Sequence, residues 1–139
     1  MSATAPPATR EHVAIVHAWV ARALIEGHKT VESRFSRDRR APFGRIGVGD
    51  TVYFRVAGGT YAARALVERV LCEDGLTTRR VRAIEALHRA SIGGDDEYWR
   101  MVRGARCVTL LWLTGCCGVE SGPFLERARG DRRAWFVLG

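Results

Sequence analysis

The sequence has very little lysine: Lys29 is the only one, although the chain contains 22 basic residues. Arginine therefore supplies the positive charge elsewhere, and arginine does not give up its proton in proteins. A lysine amine can act as a base or a nucleophile when its surroundings lower its pKa. The single lysine marks a position where the chemistry of the side chain, and not only its charge, is of interest.

Cysteine pairs with C-x-x-C spacing are also missing from the sequence. Structural zinc sites commonly hold the ion between pairs of ligands in C-x-x-C arrangements. No such arrangement occurs among the cysteines, which are Cys72, Cys107, Cys116 and Cys117. We therefore expect no metal and no other cofactor.

Long apolar runs are absent as well. The best candidate for a signal or membrane segment, residues 13–25, is interrupted by His17 and Arg22. A membrane-spanning helix needs about 20 predominantly apolar residues, and a signal peptide needs an uninterrupted apolar centre. We therefore expect a cytoplasmic protein with no membrane partner. The sequence leaves the oligomeric state open.

The overall composition is that of an ordinary globular protein. The chain has 139 residues, of which 47% are apolar, and this suits a single domain. Its formal charge of +7 and its pI near 10 favour a polyanionic partner such as RNA, DNA or a phosphorylated ligand. A high arginine content can also reflect the composition of the genome. Composition therefore indicates a class of partner and not its identity.

The N-terminal stretch differs from the rest of the chain. Residues 1–11 are small, polar and proline-containing, which predicts a disordered tail before a single domain over residues 12–139. Within that domain, alternating or continuous apolar patterns predict strands, and apolar residues at helical spacing predict helices. The predicted strands cover residues 12–16, 30–35, 51–57, 60–72, 105–114 and 134–138. The predicted helices cover residues 17–26, 77–90 and 95–103.

The order of these elements indicates the fold class. Uneven alternation over residues 60–72 predicts a bulge or strong curvature, and residues 115–130 are predicted to be mostly loop. Five or six short strands with an early helix and a later helical insertion favour an α+β fold. In that fold, a small curved or closed β-barrel has helices on its flank.

The stretch from residue 27 to residue 34 reads Gly-His-Lys-Thr-Val-Glu-Ser-Arg. It follows the first predicted helix, which Gly27 can end in the left-handed conformation that commonly stops helices. Strand alternation places Thr30, Glu32 and Arg34 on one face and the residues between them on the other. Lys29 lies in the turn, where alternation does not determine its direction. On these residues alone, an exposed cluster of charged side chains is an open alternative.

An apolar helix ending in Gly27, followed by Gly-x-Lys-Thr-x-Glu-x-Arg, resembles the signature of the ASCH family, which is related to the PUA-like RNA-binding barrels. The resemblance covers nearly the whole chain from His12 onward. It implies a PUA-like β-barrel with a cleft between its open side and the flanking helices, lined by the Lys29 motif. Softer matches to the family are Val48-Gly49-Asp50, the Tyr53-Phe54 strand, the strand over residues 64–70 and the ending Arg133-Ala134-Trp135.

The resemblance also implies a choice of functions. ASCH proteins are regarded as associated with RNA or nucleotides. One branch resembles amidohydrolases that remove the acyl group from N4-acetylcytidine, and another has been linked to cleavage of single-stranded RNA. The amidohydrolase branch uses a motif lysine, a threonine three positions later and a glutamate farther along. Here Lys29 matches the lysine, Glu32 stands at the third position after it, and Thr30 follows it directly.

A hydrolase would use Lys29 as the base that activates a water or a hydroxyl group. Glu32 would hold the lysine or shuttle its proton, and Thr30 would orient the water or act as the nucleophile. Arg34 or backbone amides would stabilise the oxyanion. An ion pair between Lys29 and Glu32 would keep the lysine protonated, however, and this opposes base catalysis. The sequence leaves a second acid open among Glu85, Asp95, Asp96 and Glu97.

A binding module would use Lys29 and several arginines to contact phosphates, while an aromatic side chain stacks on a base. Glu32 would accept hydrogen bonds from a base edge. We favour this hypothesis because it requires no altered pKa and agrees with the net charge. The candidate phosphate ligands are Arg34, Arg37, Arg39 and Arg40. The candidate stacking residues are Tyr53, on the polar face of its strand, Trp19 and Phe43.

Overall fold

The structure is a computed structural model that describes residues 8–139. The tail predicted for residues 1–11 lies, up to residue 7, outside the described residues. The first strand, β1, spans Glu11–Val16, and the backbone N–H of Arg10 donates a hydrogen bond to Asp50 at 3.0 Å. The sheet therefore begins one residue before the predicted boundary at His12.

The described residues form six strands and three α-helices, and a short 3₁₀ helix, Val102–Gly104, follows the third α-helix. The strands are β1 (Glu11–Val16), β2 (Val31–Ser36), β3 (Thr51–Val56), β4 (Tyr61–Asp74), β5 (Cys107–Gly118) and β6 (Trp135–Leu138). The helices are α1 (Ala18–Ile25), α2 (Thr78–Ile92) and α3 (Asp96–Met101). Helix α2 begins where Thr77 accepts a hydrogen bond from the Arg80 N–H.

All six strands belong to one mixed sheet with the order β2-β5-β4-β3-β1-β6. Strand β1 pairs with β3 in parallel, and the other neighbours are antiparallel. The sheet curves into a half-barrel with the three helices on its flank. The predicted α+β fold, a small curved sheet of five to six strands with flanking helices, is confirmed. Strands β2 and β6 lie at the two edges of the sheet.

The long strand β5 is where the sequence-based prediction fails. Residues 115–118 were expected to be loop, but they continue β5 and pair with β4. The pairing register shifts between Arg64 and Leu66, opposite Gly115, whose φ is +60°. A glycine in this conformation inside a strand is typical of a bulge, so here it bends the strand instead of ending it.

Two apolar cores lie on opposite sides of the sheet. One is inside the curve, where α1 packs through Leu24 against Phe54 of β3. The other lies beneath α2 and α3, where Ile84 and Trp99 pack against Val108 of β5. Strand β2 runs along the boundary between these cores, so its side chains can reach either of them.

None of the helices in the described part of the chain is long and apolar enough to cross a membrane. Within residues 8–139, no group of three or more His, Cys, Asp or Glu side chains is arranged to hold a metal ion.

Candidate functional site

A cleft of about 600 Å³ runs along the edge strand β2. Its walls come from the end of β1, the start of α1, β2 itself, and the segment that joins α2 to α3. Because β2 is an edge strand, the cleft is open to side chains from both of its faces. The polar and aromatic side chains that matter most for its chemistry are those of Trp19, Lys29, Glu32, Ser33, Arg34 and Tyr98.

The end of α1 places Lys29 at the bottom of this cleft. Gly27 has a φ of +78°, and the backbone N–H groups of His28 and Lys29 both donate to the Ala23 carbonyl, at 2.9 and 3.1 Å. This left-handed ending turns the chain sharply out of the helix. Strand alternation could not predict the direction of the Lys29 side chain. The tight turn directs it inward, where it is only 6% exposed.

The amine of Lys29 has three partners. It donates to the carbonyl oxygens of Val31 at 2.9 Å and Ile92 at 2.6 Å, and its Nζ lies 3.4 Å from Oε1 of Glu32. An ammonium group has three N–H donors and no acceptor, so these partners match its hydrogen-bonding capacity. The surroundings therefore suit a protonated lysine.

Glu32 is the buried counter-charge of this network, at 5% exposure. Its Oε1 accepts the Ser33 backbone N–H at 2.9 Å, and its Oε2 lies 3.3 Å from Nη2 of Arg34. Burial, the largest single influence, raises the pKa of this carboxyl group. The charges of Lys29 and Arg34 and the Ser33 N–H together outweigh burial and hold the pKa below its usual value. Glu32 is therefore a buried, ionised carboxylate in the lining of the cleft.

Arg34 connects the cleft to the opposite edge of the half-barrel. Its guanidinium donates to the carbonyl oxygens of Ile15 at 3.3 Å and Ala134 at 3.4 Å, and it lies 5.1 Å above the Trp135 ring. These contacts and the one to Glu32 leave the Nε–H of Arg34 without a hydrogen bond to another described residue. Arg34 therefore has a donor to spare for a ligand.

Ser33 and Tyr98 form a second polar pair in the cleft. The Ser33 Oγ and the Tyr98 hydroxyl are 2.8 Å apart, and burial raises the pKa of Tyr98 to about 12. Tyr98 therefore stays protonated and can donate a hydrogen bond at neutral pH. Sequence reasoning missed both residues. The hydroxyl side chain inside the motif was the one available signal for Ser33, whereas α3 carries no pattern that marks Tyr98.

The structure does not bring all of the predicted site residues together. Among the described residues, Trp19 lines the cleft, but Thr30, Tyr53, Arg37 and Arg39 do not. Thr30 is exposed just before β2, where its backbone bonds to Ser91 and Leu113. Tyr53 points away from the core side of β3 and packs edge-on against the Tyr61 ring at 6.0 Å.

The other candidate phosphate ligands, Arg37, Arg39 and Arg40, also lie outside the cleft. Arg39 forms an ion pair with Asp74 and lies over the Phe43 ring, so neither Arg39 nor Phe43 faces the cleft. Arg37 is exposed. Arg40 pairs with Asp38 and lines a separate hollow next to the cleft.

The acidic candidates divide into two groups. Asp95 and Glu97 line the cleft, and Asp95 also caps α3 by accepting the Tyr98 backbone N–H at 2.8 Å. Glu85 and Asp96 instead form ion pairs with Arg89, outside the cleft lining. Of the acids that the sequence left open, Asp95 and Glu97 are therefore the ones at the site.

Comparison with known proteins gives matches among solved structures. No protein-family model matches the sequence, and the search of curated proteins gives no match. The ASCH protein of Zymomonas mobilis matches with a TM-score of 0.62 and 19% identity, over 78% of this chain and 69% of that chain. A tyrosine-to-phenylalanine mutant of the same protein matches with a TM-score of 0.61 and 18% identity, over 78% and 71% of the two chains.

A more distant match, hypothetical protein PH0355, has a TM-score of 0.50 and 13% identity, over 77% of this chain and 97% of that chain. At these identities the similarity concerns the fold. The chain therefore has an ASCH-like fold, as the sequence resemblance predicted.

Proposed function

We propose that the protein binds a nucleobase, as part of RNA or of a modified nucleoside, in the cleft along β2. The observation that carries this proposal is the juxtaposition of an ionised, buried Glu32 with an exposed indole ring at the cleft mouth. Trp19 is 54% exposed and lines the same cleft. A volume of about 600 Å³ lies within the usual range of small-molecule sites.

Each side chain has a defined role in this binding mode. Trp19 offers a flat surface for stacking, which is how proteins commonly hold an unpaired base. Glu32 offers carboxylate oxygens to an exocyclic amino group, and Arg34 offers its unused N–H to a carbonyl or phosphate oxygen. Lys29 keeps Glu32 ionised and oriented, so it acts through the carboxylate.

The carboxylate makes the proposal specific. An ionised Glu32 attracts the N4 amino group of cytosine and repels the O4 carbonyl oxygen at the same position of uracil. A hydrogen bond to a charged group contributes about 1.5 kcal/mol or more, so we expect roughly tenfold tighter binding of cytidine-containing ligands.

Titration calorimetry with cytidine and uridine, and with short single-stranded RNAs of each, tests this proposal. We expect a preference for cytosine that Glu32→Gln reduces or reverses, because the neutral amide can also donate to O4. Glu68→Gln is the matched control, since Glu68 is exposed and does not line the cleft. Equal affinity for both bases in the wild type, or an equal effect of the control, would contradict the proposal.

Hydrolysis of an acylated nucleoside is the second candidate, and the buried Glu32 carboxylate in the lining of the cleft is the observation that favours it. Lys29 is poorly suited to act as the base because its partners match an ammonium group. Glu32 could instead take a proton from a water that attacks the acyl carbonyl carbon. The carbon–nitrogen bond would then break, Glu32 would pass that proton to the departing amine, and acetate would leave with the release of the water's second proton.

Incubation with N4-acetylcytidine tests this second candidate by the release of cytidine. Release that Glu32→Gln abolishes and Thr30→Ala preserves would support Glu32 as the base. If the wild type releases no cytidine, the amidohydrolase hypothesis is wrong. Cleavage of single-stranded RNA stays a prediction, and electrophoresis of the incubated RNA tests it.

A further inference from the structure

A second hollow, of about 320 Å³, lies on the other side of Arg34 and is called the arginine groove here. It runs between the loop after β2 and the segment just before β6. Arg34, Phe35 and Ala134 line both the groove and the cleft, so the two hollows adjoin around Arg34. The charged residues of the arginine groove are Arg34, Arg40, Arg132 and Arg133.

The arginine groove differs from the cleft in charge. No carboxylate from the described part of the chain lines it, whereas Glu32, Asp95 and Glu97 all line the cleft. Arg132 is exposed and forms no ion pair with any residue in the described range 8–139. The groove therefore offers an unneutralised positive charge beside the cleft.

The Arg40–Asp38 ion pair that borders the groove is a weak competitor for a ligand. Both of its side chains are largely exposed, whereas the Asp131 partner of Arg133 is only 10% exposed. Exposed pairs such as Arg40–Asp38 contribute little free energy because water screens them. A phosphate oxygen can therefore take the place of the Asp38 carboxylate at little cost.

The inner wall of the groove is held by buried contacts. Trp135, below the Arg34 guanidinium, donates its Nε1–H to Nδ1 of His12 at 3.0 Å. His12 in turn contacts Asp50 at 2.8 Å through Nε2. On the outer side, the Arg133 guanidinium lies 4.5 Å above the Phe136 ring. Donors held by such packing lose little freedom on binding an anion.

We infer that the arginine groove binds a phosphate attached to the nucleoside whose base occupies the cleft. The natural ligand would then be a nucleotide or a strand of RNA, and a free nucleoside would be a fragment of it. Arg34 touches both hollows and would contact the base and the phosphate together. Arginine suits this task because its planar guanidinium can donate two parallel hydrogen bonds to a phosphate. This inference rests on the proposed function of the cleft.

The test compares cytidine, cytidine 5′-monophosphate, cytidine 3′-monophosphate and a short single-stranded oligocytidylate by titration calorimetry. We expect at least one phosphorylated ligand to bind about tenfold or more tightly than cytidine. The double variant Arg40→Ala with Arg132→Ala should lose this gain and keep the affinity for cytidine. The monophosphates and the oligonucleotide distinguish a free nucleotide from an RNA strand as the source of the phosphate.

The matched control is the double variant Arg79→Ala with Arg82→Ala, because both arginines are exposed on α2 and line neither hollow. The control should keep the gain. For the oligonucleotide, the slope of log affinity against log salt concentration should fall by about one for each groove arginine removed.

The outcomes separate this inference from the proposal for the cleft. If cytidine binds and a phosphate adds no affinity, the phosphate site in the groove is wrong and the proposal for the cleft stands. A gain that the control variant loses equally would also overturn the phosphate site, since the effect would then be one of net charge. Failure of every ligand to bind would contradict both proposals.

Discussion

The cleft and the arginine groove adjoin at Arg34, yet they are built in opposite ways. In the cleft, Lys29 and Glu32 are buried and paired, and each of them also forms hydrogen bonds with backbone groups. In the groove, Arg40 and Arg132 are exposed. Buried, oriented polar groups discriminate between ligands, whereas exposed cations attract any phosphate. From this comparison we propose specificity for one hollow and salt-dependent affinity for the other.

The largest expected effect comes from breaking the buried pair. Lys29→Met leaves Glu32 without its buried partner, and Glu32→Leu likewise leaves Lys29 without its buried partner. Removing one member of a buried pair costs about 3–5 kcal/mol, so each variant should lose that much unfolding free energy in urea.

The double variant, Lys29→Met with Glu32→Leu, should lose less than the sum of the two single losses, because no unpaired buried amine or carboxylate remains. Glu68→Leu is an exposed control and should change stability by less than about 0.5 kcal/mol. Additive losses in the double variant would mean that Lys29 and Glu32 do not act as a pair.

Trp19→Ala has the next largest expected effect, on binding and not on stability. Loss of stacking on one base should weaken binding of single-stranded RNA by about 1–3 kcal/mol, measured by calorimetry. Phe124→Ala is the control, because Phe124 is 88% exposed and does not line the cleft. If both variants bind RNA as the wild type does, the aromatic mouth of the cleft has no part in binding.

The stabilising contacts of His12 with Trp135 and Asp50, which lie beneath Arg34, should depend on pH. The Trp135 indole can only donate, so Nδ1 of His12 accepts from it and Nε2–H donates to Asp50. Burial, opposed by Asp50 and reinforced by Arg10 and Arg45, lowers the pKa of His12 below its ordinary value of 6.5. The neutral imidazole is therefore the form that stabilises the fold.

The stabilisation by His12 should be complete above pH 6.5 and should decrease as the pH falls below that value, where the unfolded chain binds more protons. Urea unfolding across that range should show the decrease in the wild type and a smaller one in His12→Gln. The same slope in both proteins would show that His12 is not its source.

The smallest expected effect concerns an arginine outside both hollows. Arg39 pairs with Asp74 at an exposed position, so Arg39→Ala should change the unfolding free energy by less than about 0.5 kcal/mol. It should also leave the cytosine preference unchanged. A loss of RNA affinity equal to that of Arg132→Ala would mean that the arginines act through net charge, without a groove.

The sequence predicted much of this fold because its local patterns agree with one another. The helix ending in Gly27, the alternation around Phe54 and the apolar run of β5 all point to their observed elements. The site was harder to predict because several of its contacts are distant in sequence. One of the two carbonyl oxygens that hold Lys29 belongs to Ile92, 63 positions away.

The arrangement of the strands in the sheet explains the other differences between prediction and structure. Alternation placed Ser33 on the face away from Glu32, but an edge strand exposes both faces to one cleft. Alternation also gave Tyr53 the correct face of β3, and that face turned out to lie away from the cleft. Arg132 lies beside Arg34 only because β6 pairs with β1, a pairing that no local pattern reveals.

The most direct test is the affinity of the wild-type protein for short oligocytidylate and oligouridylate at several salt concentrations. Both affinities should fall as salt rises, because phosphate contacts release counterions. The ratio between them should stay near tenfold throughout, because the base is read by a buried carboxylate. A ratio near one, or affinities that do not change with salt, would contradict the assignment of base and phosphate to the two hollows.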